Sequence, residues 1–184
     1  MRALLLALAC LNLGSLGTAA EPLVKGRFQL TDARDGRAVS QDSYRGKLRL
    51  VFFGFTHCRL TCPVGLSKLS GALQALGKDA GSVTAIFITT DPKRDTAKVM
   101  KAYTANFDAR IIPLTGSESA IKAAMRSFRL EAQKTEERSE DEYQMEHPAI
   151  LYLMDRQGRY LEALPSSGDP AALALRVRKA LQGK

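Results

Sequence analysis

The sequence predicts an α/β domain in three layers: a mixed central sheet with helices on both faces, and a β-hairpin added on the N-terminal side. Three observations carry that expectation. Runs rich in branched and aromatic residues alternate with longer runs whose apolar residues recur at helical spacing, a pattern that builds a sheet covered on both faces. One run, Leu48 to Phe53, is mostly apolar, as a central strand must be. With 184 residues, no internal repeat and no dividing linker, the chain suits one domain that can bury a core without staples.

The elements follow in order. Arg27 to Thr31 and Ala38-Val39 flank the turn-like Asp32-Ala33-Arg34-Asp35-Gly36, a small hairpin. Leu48 to Phe53 is the first core strand. Val64 to Leu76 places Leu66, Leu69, Leu73 and Leu76 on one helical face, and Gly77 ends it. Val83 to Thr89 is a second buried strand. Asp95-Thr96 caps a helix that runs to Phe107. Ile111 to Leu114 is a short strand, and Ser117 or Ser119 opens a helix to Phe128. The polar stretch Glu131 to Glu146 reads as a solvated loop or extended hairpin, and its place before His147 suits a flap. Ala149 to Met154 and Arg159 to Ala163, joined by Asp155-Arg156-Gln157-Gly158, form a late hairpin. Asp169-Pro170 opens the last helix, to Leu181, with proline in the first turn where it removes no hydrogen bond. The alternation implies a largely parallel central sheet, an order compatible with a thioredoxin-like fold.

Met1-Arg2, the apolar Ala3 to Leu13 and the small residues Gly17 to Ala20 read as a secretory signal peptide over residues 1–20. Residues 21–184 then form the single domain. The apolar run is far short of the ~20 residues that cross a bilayer. Cys10 leaves with that segment, unless it carries lipid as in bacterial lipoproteins and anchors the protein to a membrane. An exported, periplasmic protein is therefore expected. Lys and Arg number 27 against 19 Asp and Glu, a net charge of +8. The positive residues are spread along the chain and interrupted by acidic ones, and no basic patch carries interleaved aromatics. Nucleic acid is not expected as a partner, and a solvated surface explains most of the charge.

Cys58 and Cys62 are the only cysteines left after export, and they stand in Gly54-Phe55-Thr56-His57-Cys58-Arg59-Leu60-Thr61-Cys62-Pro63. Residues four apart on a helical turn have Cβ atoms roughly 5–6 Å apart. A disulfide tolerates Cα separations of roughly 4.4–6.8 Å. The spacing thus admits a disulfide, or two thiolates converging on one metal. Pro63 is expected in the first turn of the helix, which leaves Cys62 near free backbone N–H groups that favour a thiolate. Cys58 is expected in the loop before it, as the more exposed thiol. Zinc normally takes four ligands, and no second Cys pair exists. Soft thiolates with a single imidazole suit copper.

Two histidines offer that imidazole. His57 adjoins Cys58, but neighbouring side chains in a turn diverge, so a partly exposed loop residue is its simpler reading. His147 precedes a strand of the sheet and can sit at the same end as the cysteine loop. Met145, two residues earlier, reads as packing; Met100, Met125 and Met154 read as core.

The segment Phe52 to Pro63 resembles the signature of the Sco/SenC copper-chaperone family. So do Ile88-Thr89-Thr90-Asp91-Pro92-Lys93-Arg94-Asp95-Thr96, and His147 followed by Tyr152-Leu153-Met154-Asp155 and Gly158. The resemblance runs from about Phe28 to the last helix. It implies a thioredoxin-like fold and a mononuclear copper site, Cu(I) or Cu(II), with thiolates from Cys58 and Cys62 and the imidazole of His147. It places Asp91 near the metal, as a group that orients a ligand or biases its charge; the alternative is a turn or cap before a helix. It also implies work on the binuclear copper centre of cytochrome c oxidase. Partners would be the copper-bearing oxidase subunit or another copper chaperone, and an external thiol reductant. Two departures stand out. Arg59 follows the first Cys where proline is common, and its charge would favour a Cys58 thiolate. Pro148 follows His147 where a small polar residue is usual, and a cis His147-Pro148 bond is the corresponding expectation. The dithiol leaves two other readings open. One is a thiol-disulfide oxidoreductase with Cys58 and Cys62 as catalytic residues that keep an acceptor's cysteines reduced. The other is a thiol-based redox sensor or peroxidase.

Overall fold

Seven consecutive buried residues, Leu48–Gly54, form strand β3 near the middle of the sheet. The computed structural model describes residues 24–135, 139 and 142–183; the expected signal segment and Cys10 lie outside the described residues. Strand β4 (Val83–Thr89) runs parallel to β3, with Phe52 opposite Phe87 and Gly54 opposite Thr89. Strand β5 (Ile111–Thr115) extends that parallel set. The hairpin of β1 (Gln29–Asp32) and β2 (Ala38–Ser40) adds antiparallel to β5. On the other side β8 (Ile150–Met154) and β9 (Tyr160–Pro165) add antiparallel to β3. The order is β2-β1-β5-β4-β3-β8-β9. The sheet is therefore mixed, and less parallel than the strand and helix alternation alone implied. Only β3, β4 and β5 are parallel, because short hairpin connections, which can join only antiparallel strands, build both edges.

Alternation along the strands fills two cores. Leu48, Leu50 and Phe52 of β3, Ala85 and Phe87 of β4, and Leu151 and Leu153 of β8 face helices α1 (Thr61–Leu76), α2 (Ala97–Thr104) and α4 (Pro170–Gln182). Val51, Phe53, Ile86, Ile88, Tyr152 and Met154 face α3 (Glu118–Ser127) on the opposite side. Three helices open on a side-chain acceptor: Thr96 takes the Val99 N–H, Ser117 that of Ala120 and Asp169 that of Ala171. Helix α1 has no such cap. It starts at Thr61, three residues before the apolar period becomes visible in the sequence, and its N-cap residue Leu60 offers no acceptor.

The polar stretch after α3 is an extended hairpin. Strands β6 (Gln133–Thr135) and β7 (Gln144–Glu146) pair antiparallel as a sheet of their own, with Lys134 opposite Met145. His147 leaves this hairpin toward β8. The His147-Pro148 bond is trans, as are all described peptide bonds, which corrects the cis expectation. Trans is intrinsically lower by about 0.5–1 kcal/mol, and the open run from β7 to β8 imposes no turn that would reverse it.

Helix α1 lies close on β3 because Gly65 has no side chain. A Cβ there would stand 2.6 Å from Cε1 and Cζ of the fully buried Phe52 ring. Replacing Gly65 with Ala gains about 1 kcal/mol of helix propensity. It also overpacks a sealed contact, which costs about 1–3 kcal/mol. Gly65→Ala should therefore lower the urea midpoint, with an unchanged slope, by a net loss of up to about 2 kcal/mol in equilibrium unfolding.

Candidate metal centre

The two cysteines sit where β3 hands the chain to α1. Gly54 ends β3, and a Cβ on it would lie 2.8 Å from the Cys62 sulfur and 2.8 Å from Cε2 of Phe87. The missing side chain is the space the Cys62 sulfur occupies. Cys62 is fully buried there, whereas Cys58, in the preceding loop, is half-buried. Both are free thiols.

The uncapped start of α1 explains their electrostatics. The Cys62 N–H, one of the free donors of the first turn, points at the Cys58 sulfur at 3.3 Å. The Thr61 hydroxyl lies 3.1 Å from the same sulfur. The Cys58 sulfur thus does the work of the absent cap. Its acidity is raised first by the hydrogen bond from the Cys62 thiol, then by Thr61 and the backbone N–H groups; burial opposes them. The result is a Cys58 pKa held down to about 4. Cys62 shifts the other way. Its thiol is held protonated by donating to Cys58, and burial adds to the effect. The expectation of a thiolate at Cys62 is thereby corrected. The helix-start N–H groups serve the sulfur outside the helix, while the Cys62 side chain turns down into the core. Cys58 is the more exposed thiol, as expected. Its acidity comes from hydrogen bonds, and Arg59 is not among the causes.

His147 stands on the same edge. Its ring meets Phe55, the residue after β3, nearly edge-on, at 6.3 Å between centroids and 77° between planes. Nδ1 lies 3.1 Å from the Pro148 carbonyl oxygen. Burial pushes the imidazole pKa below its ordinary value, while the Pro148 carbonyl and the negative Cys58 sulfur pull back. The ring is therefore neutral at pH 7, as a metal ligand must be. Among the described residues, no three His, Cys, Asp or Glu side chains are closed into a metal-binding cluster. The cysteines meet each other, and His147 packs against the base of their loop. His57 is exposed, 3.1 Å from the Thr56 hydroxyl and 3.9 Å from Asp95. Met145 packs partly buried; Met100, Met125 and Met154 are core.

Asp91 is buried at the end of β4. Its carboxylate accepts from the Tyr143 hydroxyl (2.7 Å) and from Nε of Arg94 (2.5 Å). It is thus neither a surface turn residue nor a direct partner of the sulfurs. Sequence reasoning missed the residue that does hold the cysteine loop. Asp95, read as part of a helix cap, is fully buried and accepts from the Thr56 N–H (3.1 Å), the Thr56 hydroxyl (2.6 Å) and the Thr89 hydroxyl (2.6 Å). Burial pushes its carboxyl up against those donors. The available signal was the pair of acids, Asp91 and Asp95, four residues apart just after a strand of mostly branched and aromatic residues.

The donor set is two sulfurs, one already anionic, and one neutral nitrogen, all at the end of the sheet where the parallel strands finish. Such soft donors fit copper better than a hard cation. A family model described as SCO1/SenC matches residues 17–182. The chain belongs to the SCO1/SenC family, and its fold is the thioredoxin-like one of that family's solved structures. The SCO2-like protein RP587 of Rickettsia prowazekii is 36% identical over 76% of this chain and 68% of its own length. The chain spans about half to two thirds of the length of the curated relatives it matches. The structure of Bradyrhizobium japonicum ScoI with copper bound superposes with a TM-score of 0.79, at 41% identity over 85% of this chain and 99% of the other. BsSco, described as a member of the Sco family of cytochrome c oxidase assembly proteins with a disulfide switch, superposes with a TM-score of 0.69, at 25% identity over 89% and 96%.

The contrast between the thiols is open to titration. The rate of Cys58 alkylation by iodoacetamide, followed by mass spectrometry, should rise with pH through about 4 and be level by neutrality, with Cys62 unmodified in the folded protein. Thr61→Ala removes one donor and should move that midpoint upward.

Proposed function

We propose that the protein is an exported copper chaperone that serves the binuclear copper centre of cytochrome c oxidase, with copper as its cargo. Cys58 and Cys62 supply the sulfur ligands and His147 the nitrogen. The observation that carries this reading is the asymmetric dithiol: a half-exposed thiolate beside a buried thiol, with a neutral imidazole on the same edge. The copper-bound state of ScoI and the family role described for BsSco support it. Cu(I) is satisfied by the two sulfurs, and Cu(II) additionally needs the nitrogen. To reach the metal, the His147 ring gives up its contact with the Pro148 carbonyl. Oxidation of the pair to a disulfide leaves no thiolate to offer, so loading requires an external thiol reductant in an oxidising compartment. Transfer proceeds by sharing ligands with the acceptor, the copper-bearing oxidase subunit or another copper chaperone, and Cys58 is the sulfur that faces outward. Residues 1–20 act as the signal peptide and the protein works in the periplasm; the alternative is a lipoprotein held to a membrane through Cys10, with that residue retained. Among the described residues, no helix is long and apolar enough to cross a membrane.

A second reading is thiol-disulfide exchange with the acceptor's cysteines. The low pKa of Cys58 favours it, because the thiolate is the attacking form.

One titration separates the two. Reduced protein receives one equivalent of copper under anaerobic conditions. Binding at one equivalent, lost in Cys58→Ser and Cys62→Ser, is the expected result. His147→Ala should keep Cu(I) and weaken Cu(II) by at least about tenfold. Exchange without metal carriage would show no dependence on His147, and would reduce a disulfide-bonded acceptor peptide in the absence of copper.

A further inference from the structure

The loop from Thr90 to Thr96 carries two buried acids that point to opposite halves of the centre. Asp95 reaches the base of the cysteine loop through Thr56. Asp91 reaches the β6–β7 hairpin, the element that delivers His147, through Tyr143. Tyr143 is fully buried and is held at both ends. Its hydroxyl donates to Asp91 at 2.7 Å, and its carbonyl oxygen accepts from Nη1 of Arg94 at 3.0 Å. The Arg94 guanidinium lies 3.5 Å from the centroid of the Tyr143 ring and 5.8 Å from that of Phe55. Phe55 is the ring that His147 packs against. From the neighbouring strand, Lys134 places its ammonium 4.0 Å from the Tyr143 centroid. Arg94 also pairs with Asp91, in a contact almost closed to solvent on both sides.

We propose that Arg94 and Tyr143 are positioning residues for His147. Through them the loop that holds the sulfurs also fixes the hairpin that carries the imidazole. Tyr143 is four residues from His147, and the strand between them, β7, is paired only with β6 among the described residues. The main sheet holds His147 from one side only, through Ala149, whose carbonyl oxygen accepts from the Ser166 N–H; the Asp91–Arg94–Tyr143 latch holds it from the other. Neither residue touches the metal. A two-stranded ribbon has little stability of its own, so loss of the latch should free the hairpin and leave the dithiol intact.

This inference rests on His147 as a copper ligand, and the experiment separates the two claims. Tyr143→Phe keeps the ring and removes the bond to Asp91; Arg94→Gln removes the guanidinium contacts. Both are compared with wild type and His147→Ala for Cu(I) affinity, for imidazole nitrogen coupling in the Cu(II) EPR spectrum, and for amide exchange of residues 144–147 in the metal-free protein. The expected result is exchange at least about tenfold faster at those amides in both variants, with Cu(II) affinity down about tenfold. Nitrogen coupling should weaken, and Cu(I) affinity and the Cys58 alkylation midpoint should stay unchanged. Retained Cu(I) affinity also shows that the variants fold. Wild-type exchange rates and nitrogen coupling in both variants overturn the latch. Absence of nitrogen coupling in wild type overturns instead the assignment of His147 as ligand.

Discussion

Asp95 is a carboxylate sealed under the end of the sheet, and the centre depends on the three hydrogen bonds it accepts. Two come from Thr56, at the point where the chain leaves β3 for the cysteine loop, and one from Thr89 at the end of β4. Its own backbone is tied as well. The N–H donates to the Asp91 carbonyl, and the carbonyl accepts from the Thr115 hydroxyl. The ends of three parallel strands are thereby gathered on one residue. A buried carboxylate is costly unless its oxygens are satisfied. The three donors offset that cost only in one arrangement of the loop, so the same bonds that accommodate the acid fix where Cys58 begins.

From that fixed start, the two sulfurs divide the work. The Cys62 sulfur fills the space that Gly54 leaves and is locked by packing. Cys58 sits higher, gathers the donors of an uncapped helix, and stays reachable. A symmetric pair of exposed thiols would be more prone to bridge molecules; a symmetric pair of buried ones would be closed to any partner. The asymmetry comes from backbone geometry: one residue lies before the helix and the other inside its first turn.

Much of this was legible in the sequence. The alternation of apolar runs located every strand of the main sheet and every helix within a few residues, because strands buried on both faces read as short apolar runs and the helices that cover them carry apolar residues at helical spacing. Cys58 and Cys62 stood out by number and spacing. What stayed hidden depends on tertiary contact. The apolar period of α1 shows only from Val64, and Pro63 alone pointed to the earlier turn that starts at Thr61, because no capping side chain marks it. The thiolate expected at Cys62 was misplaced, since a rule based on helix position does not say which sulfur the free N–H groups face. Asp95 passed for a cap because a local role suffices to explain an acid before a helix, whereas its real partners, Thr56 and Thr89, come from other strands. Tyr143 and Arg94 lie 49 residues apart and carry no motif that announces their contact.

One consequence of the sulfur that stands in for a helix cap concerns proton inventory. At neutral pH Cys58 has already surrendered its hydrogen to solvent, Cys62 retains its own, and the imidazole bears no removable charge. A cation seated on both sulfurs therefore expels a single hydrogen ion, the one that had been shared between them. The energetic toll of ionising the outer sulfur was met when the chain folded, so acidification weakens the cation's uptake by about tenfold per pH unit, for the one hydrogen ion that still leaves, where two would cost about a hundredfold.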